Sequence, residues 1–136
     1  MAVLFMAACS RKKNTFLSRS KHSVTSEFNI LYNGNIAFET GKEQLAATYR
    51  DNFWETLPVE RIELEESNVL PGDSKDENFN RAEEKAAKAI QKHSIYLEGK
   101  EYNPQIDEAY ILLGKARYFD GRFVQALDAF NFILKT

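Results

Sequence analysis

Apolar residues return at every third or fourth position between Asp107 and Leu134. Tyr110, Leu113 and Ala116 make one stripe, which stops at Asp120-Gly121, and Phe123, Ala126, Leu127, Phe130, Ile133 and Leu134 make a second. That spacing lines one side of an α-helix, so the pattern predicts two amphipathic helices across a short turn, an antiparallel hairpin. Asn103 and Pro104 mark its start: Asn accepts from free amides at a helix N-terminus, and Pro suits the first helical position, where no donor is needed. Gly121 suits the left-handed residue that closes a helix. Gly114 and Ala126 are small where the two backbones would approach.

Upstream the same periodicity is weaker. Phe28, Leu31, Tyr32, Ile36 and Phe38 predict a helix over 26–40, with Gly34 as a close-packing position, and Leu45, Tyr49, Phe53 and Trp54 predict a second one after a turn at Gly41. Gly34 and Gly41 are spaced like Gly114 and Gly121, and Ala46 follows Gly41 as Ala126 follows Gly121, which suggests a degenerate hairpin over 26–54. Residues 57–78 break the pattern with Pro58, Glu60, Glu63, Glu65, Glu66 and then Pro71-Gly72-Asp73-Ser74, so an irregular segment is expected there, with a short extended piece at Ile62 and Leu64. Helix resumes over 79–92, with Asn80 as the expected cap, Glu83 answering it, and Ala82, Ala86 and Ala89 facing the helix that starts at Pro104.

Residue type as well as spacing marks the last hairpin. Counting Asp107 as position one, it resembles the tetratricopeptide repeat, with Tyr110 at four, Leu113 and Gly114 at seven and eight, Gly121 at fifteen, Ala126 at twenty and Phe130 at twenty-four. Arg117 at eleven and Ile133 at twenty-seven depart from it, where an aromatic and an Ala are usual. The expected fold is all-α, tetratricopeptide-like helical hairpins at the start of an α-solenoid. Each such repeat buries its apolar face on the next, so the array is expected to continue past Thr136, or to close Phe132 and Leu134 against a partner. First helices line the inner face of these arrays, which makes Glu108, Lys115 and Arg117 the expected partner-binding positions.

Composition narrows the chemistry. At 136 residues, 43% of them hydrophobic, and a net charge of -2, the chain has room for one domain and lacks the charge of a nucleic-acid binder. Cys9 is the single cysteine, so no internal disulfide and no cysteine metal cluster can form. His22 and His93 lie far apart in sequence and are each expected as surface or helix-packing residues. No G-x-S-x-G, H-E-x-x-H or phosphate-binding glycine loop occurs. Glu65-Glu66 and Glu83-Glu84 are adjacent pairs, and helix neighbours point about 100° apart, so neither is an acid/base dyad. The expectation is a protein without catalytic residues, cofactor, metal or small-molecule substrate.

The first residues, Met1 to Cys9, resemble the end of a bacterial lipoprotein signal peptide, through Met6-Ala7-Ala8-Cys9. Small residues before the cysteine fit a peptidase, and the Cys9 thiol would receive the lipid, so residues 1–9 are expected as a signal segment and 10–25 as a tether to the helical domain, 26–136. Ser10 after the cysteine is compatible with the outer membrane. Arg11, Lys12 and Lys13 are expected as part of the solvated tether, and no stretch reaches the roughly 20 apolar residues of a membrane span.

Five stretches, SRKKNTFLSRS, LYNGNIAF, DNFWETLPVER, AEEKAAKAIQKHS and EYNPQIDEAYILLGKARYFD, are similar to the N-terminal region of the gliding-motility lipoprotein family SprE, also called PorW, of Bacteroidetes. The resemblance implies a large tetratricopeptide lipoprotein of the type IX secretion system, anchored at Cys9 in the outer membrane, facing the periplasm and binding protein components of the secretion and motility machinery. Another envelope tetratricopeptide lipoprotein, binding peptides or outer-membrane assembly partners, is the alternative expectation.

Overall fold

The computed structural model describes residues 15–60, 62 and 76–135, so Cys9 and the leader lie outside the described residues. The described chain is mostly helical, as the apolar periodicity predicts, with one two-stranded sheet.

Helix α1 (Phe16–Thr25) begins at Thr15, whose hydroxyl accepts from the Ser18 amide at 3.3 Å. It runs without a break through a π-helical turn (Ser26–Leu31) into α2 (Tyr32–Thr48). The rod is about 50 Å long at 1.5 Å per residue. Two expectations are corrected here. Much of the tether expected over 10–25 is helix α1. The turn expected at Gly41 is absent, because Gly41 lies inside α2, where a Cβ would stand 2.8 Å from Phe79 Cε1. Gly34, read as a close-packing position, is one: a Cβ there would stand 2.8 Å from Leu112 Cδ2.

The helix expected through Tyr49, Phe53 and Trp54 does not form. Tyr49 is extended (ψ 134°), and Asn52 turns the chain back on itself, its side-chain oxygen accepting from the Trp54 amide at 3.2 Å and its carbonyl from the Glu55 amide at 3.2 Å. Local bonds of this kind compete with helix. They leave Trp54 96% exposed.

Helix α3 (Glu77–His93) starts three residues before the expected cap. Asp76 has the extended backbone of a cap and accepts from the amides of Asn78 (2.7 Å) and Phe79 (3.1 Å), so Asn80 is interior. Residues 77 and 78, expected in the irregular segment, are therefore helical. Phe79, Ala82, Ala86 and Ala89 are all buried, as their spacing predicts.

A tight hairpin, β1 (Tyr96–Leu97) and β2 (Lys100–Glu101), joins α3 to α4, with Tyr96 opposite Glu101 and Leu97 opposite Lys100. Glu98 and Gly99 both take positive φ, 52° and 82°, the conformation a two-residue hairpin turn needs to match strand twist. The Glu101 carboxylate braces this connection: Oε1 accepts from the amides of Ile95 (2.8 Å), Tyr102 (3.0 Å) and Asn103 (2.9 Å), and Oε2 from the Ser94 hydroxyl (2.6 Å). Asn103 then caps α4 (Gln105–Phe119) as expected, accepting from the Gln105 amide at 3.1 Å while its Nδ2 donates to the His93 carbonyl at 2.9 Å.

Helix α4 ends at Gly121, whose φ is 80°. The Arg122 amide donates to the Arg117 carbonyl (2.9 Å) and the Gly121 amide to that of Tyr118 (3.0 Å), the paired bonds of a Schellman cap. Helix α5 (Phe123–Lys135) follows directly.

From α2 onward each helix packs antiparallel on the next. Gly41 and Gly34 of α2 meet Phe79 and Lys85 of α3, and Glu83 of α3 meets Arg117 of α4 while His93 meets Asn103. Gly114 and Tyr110 of α4 meet Phe130 and Phe132 of α5. Helix α2 also touches α4. The core is an alanine seam with large residues at its edges: Ala82, Ala86 and Ala89 of α3 face Ala109, Leu112, Leu113 and Ala116 of α4. At one end the rings of Phe38, Phe79 and Phe119 close together, with centroids 5.4 to 6.1 Å apart.

Candidate interaction surface

The residues expected to shape the last hairpin are brought together. Gly114 and Ala126 are buried, and a Cβ on Gly114 would stand 2.7 Å from Phe130 Cδ1, so the missing side chain sets the approach of α4 to α5. Leu113 is buried in the core beside Ala116. Tyr110 stacks on Phe132 with centroids 4.0 Å apart and leaves it half-buried, while Leu134 is 84% exposed. Burial, and then the Glu101 charge, hold the Tyr110 phenol above its ordinary value of 10.0.

The expected partner-binding residues divide. Glu108 and Lys115 are exposed on α4, near exposed Ile111. Arg117 is not free in that way: its guanidinium pairs with Glu83 at 2.8 Å and donates to the Gln125 carbonyl at 3.2 Å. Position 117 faces the junction of three helices, where its cation meets the Glu83 carboxylate.

Glu83 is the centre of that junction and was not legible as such. It receives Arg117 from α4 and also Arg122, which in turn donates to Asp120 at 2.7 Å and to the Gln125 side chain at 3.2 Å. Asp120 Oδ1 accepts from the Asp76 amide at 3.2 Å, so the N-terminus of α3 and the α4–α5 turn are joined through charged groups. The partners lie 34 and 39 residues apart in sequence, beyond any local spacing rule.

Beside this junction an open cleft of about 620 Å³ is lined by Pro58, Val59, Glu60, Ile62, Tyr118 and Phe123. Its lining is mostly apolar, and its walls come from the start of the irregular segment and the α4–α5 turn. A cleft of this kind suits an extended segment with an apolar anchor. Sequence reading placed Phe123 in the apolar stripe of the second helix and gave Tyr118 no role, because the segment that faces them is distant along the chain.

At the other end, His22 of α1 and His93 of α3 are both buried, with Nδ1 atoms 3.1 Å apart and rings edge to face at 5.2 Å. They are helix-packing residues, as expected, but they pack on one another. Burial, then the charges of His22 and Lys92, lower the His93 pKa below its ordinary 6.5.

Among the described residues no group of three or more His, Cys, Asp or Glu could hold a metal, and no helix is long and apolar enough to cross a membrane. No protein-family model and no curated protein matches the chain.

Proposed function

We propose that this chain is part of a non-catalytic, lipid-anchored tetratricopeptide scaffold, which holds protein components of type IX secretion and gliding motility together. The observation that supports the reading is the α4–α5 contact, where Gly114 packs against Phe130 and Gly121 is left-handed. The packing of α2 and α3 supports it as a second pair, with Gly41 against Phe79 playing the part of Gly114 against Phe130. Contact of α2 with both α3 and α4 is also what a first helix makes with its own partner and with the next first helix. The secretion and motility assignment rests on the resemblance of the five sequence stretches to the SprE, or PorW, family. In this reading Cys9 carries the lipid, the protein faces the periplasm from the outer membrane, and exposed Glu108 and Lys115 belong to the binding face.

The test is fractionation of the tagged native protein beside its Cys9→Ala variant, with identification of co-purifying proteins. Loss of the variant from the membrane, with secretion-system components recovered by the wild type, is the expected result. Membrane association unchanged by Cys9→Ala would overturn the anchor. Failure to recover such components would favour a second reading, an envelope module that binds peptides or outer-membrane assembly partners, which the apolar cleft at Tyr118 and Phe123 supports.

A further inference from the structure

The α1–π–α2 rod has two apolar sides. One is packed, through Ile30, Leu31, Ala37 and Phe38. The other faces outward along α1 and its π turn, where Phe16 is 73% exposed, Leu17 79%, Val24 54% and Phe28 63%. At about 100° per helical residue Leu17, Val24 and Phe28 fall nearly in line, with Phe16 at one edge of the same face. Lys21 is exposed on one flank of that face, in reach of a charged layer while its stem runs along apolar surface, whereas Arg19 lies on the side of buried His22 and Ser26.

Charge separates this stretch from the rest of the molecule. Residues 1–26 hold 5 of the 18 Lys and Arg and none of the 20 Asp and Glu, which leaves 13 cations against 20 carboxylates in residues 27–136. Glu27, next to Phe28, is the first carboxylate in the chain. Exposed aromatic and aliphatic side chains beside an exposed cation, in a stretch with no acid, are the features of a helix that lies in a lipid interface. A protein partner would also cover the apolar face, but it would not by itself account for the exclusion of acid from the first 26 residues.

We propose that α1 lies along an anionic phospholipid surface, with Phe16, Leu17, Val24 and Phe28 at the acyl boundary and Lys21 among the phosphates. This contact is independent of a lipid on Cys9 and adds orientation: it lays the rod on the membrane instead of leaving the helices on a loose tether. Helices α3 to α5 are packed on the opposite side of the rod and would face away from the lipid.

The test uses the whole chain with Cys9→Ala, so that no acyl chain contributes and failure here is distinguishable from failure of the anchor. Co-sedimentation is measured with vesicles containing phosphatidylglycerol and with vesicles of phosphatidylcholine alone, at low and high salt. Binding to the anionic vesicles that salt weakens is the expected result. Leu17→Glu with Phe28→Glu should abolish it, and Lys21→Ser should weaken it on the order of fivefold. These side chains are outside the core, so each variant should keep its helical circular dichroism. Equal binding to both kinds of vesicle, binding that survives Leu17→Glu with Phe28→Glu, or no binding would overturn the proposal. A wild-type dimer that those two changes dissociate would also overturn it, since a second copy would then cover the face.

Discussion

Gly114 has no room for a side chain, because the Phe130 ring occupies the space a Cβ would take. Gly114→Ala should lower stability by about 1 to 3 kcal/mol even though alanine favours helix, since a close-packed contact resists added volume. Thermal unfolding followed by circular dichroism would register it as a drop of several degrees. A melt unchanged from wild type would mean that α4 and α5 can separate at no cost. Gly99→Ala is the useful contrast, because nothing lies within 4 Å of a Cβ there and only its positive φ of 82° opposes the change. Gly114 and Gly121 were legible in the sequence because the residues around them fix both the helices and the turn. Gly41 was not: a glycine marks either a left-handed turn or a close approach, and only its distant partner Phe79 decides which.

The two histidines make a prediction at the same scale. Their facing Nδ1 atoms can share one proton, but two protons would set donor against donor and charge against charge. With the His93 pKa lowered in the folded state, the unfolded chain takes up the proton first as pH falls through 6.5. Stability should therefore be full above that value and decline as pH falls below it, until the folded protein is protonated too. Melting temperatures measured from about pH 7.5 to 5 would record the decline, which His93→Leu should flatten. A pair 71 residues apart leaves no trace in local periodicity.

Among the elements, the junction at Glu83 links α3 to α4 and to the start of α5. Glu83→Gln keeps the shape and removes the charge, leaving Arg117 and Arg122 without their common partner; a loss of about 1 to 3 kcal/mol is expected. A double-mutant cycle with Arg117→Ala separates this role from partner binding. Coupling between the two positions in urea unfolding assigns Arg117 to the fold, whereas additive losses would show that the pair contributes nothing jointly. The Asp76 cap has the same lesson as the junction. Asn80 looked like the cap because Glu83 follows it by three, yet Glu83 serves Arg117 and Arg122, and Asp76 starts the helix earlier. Helix existence was read correctly for α3, α4 and α5, and alanine spacing reported the buried face of α3 and α4; in α5 the stripe was drawn too wide, since Leu127 and Leu134 are 57% and 84% exposed while Ala129 is buried. The long rod was misread, because Gly41 looked like a turn while the packing that keeps it helical comes from Phe79 of α3.

For the whole molecule, α2 and α3 differ from the later neighbours in how they are joined. Glu101 braces the step from α3 to α4, and a Schellman cap closes the step from α4 to α5. The step from α2 to α3 spans residues 49–76, and within it Phe53 and Trp54 stand in solvent. The α2–α3 interface is nevertheless continuous, from Gly41 against Phe79 to Gly34 against Lys85. Those two helices are thus held by their faces and not by their tie. Chymotrypsin at Phe53 or Trp54 should cut the peptide while both pieces still elute together at native size, and separation would show that the covalent link is needed. If they stay together, the two segments can be made as separate polypeptides that find one another, and this protein can serve as a split reporter whose halves meet through α2 and α3.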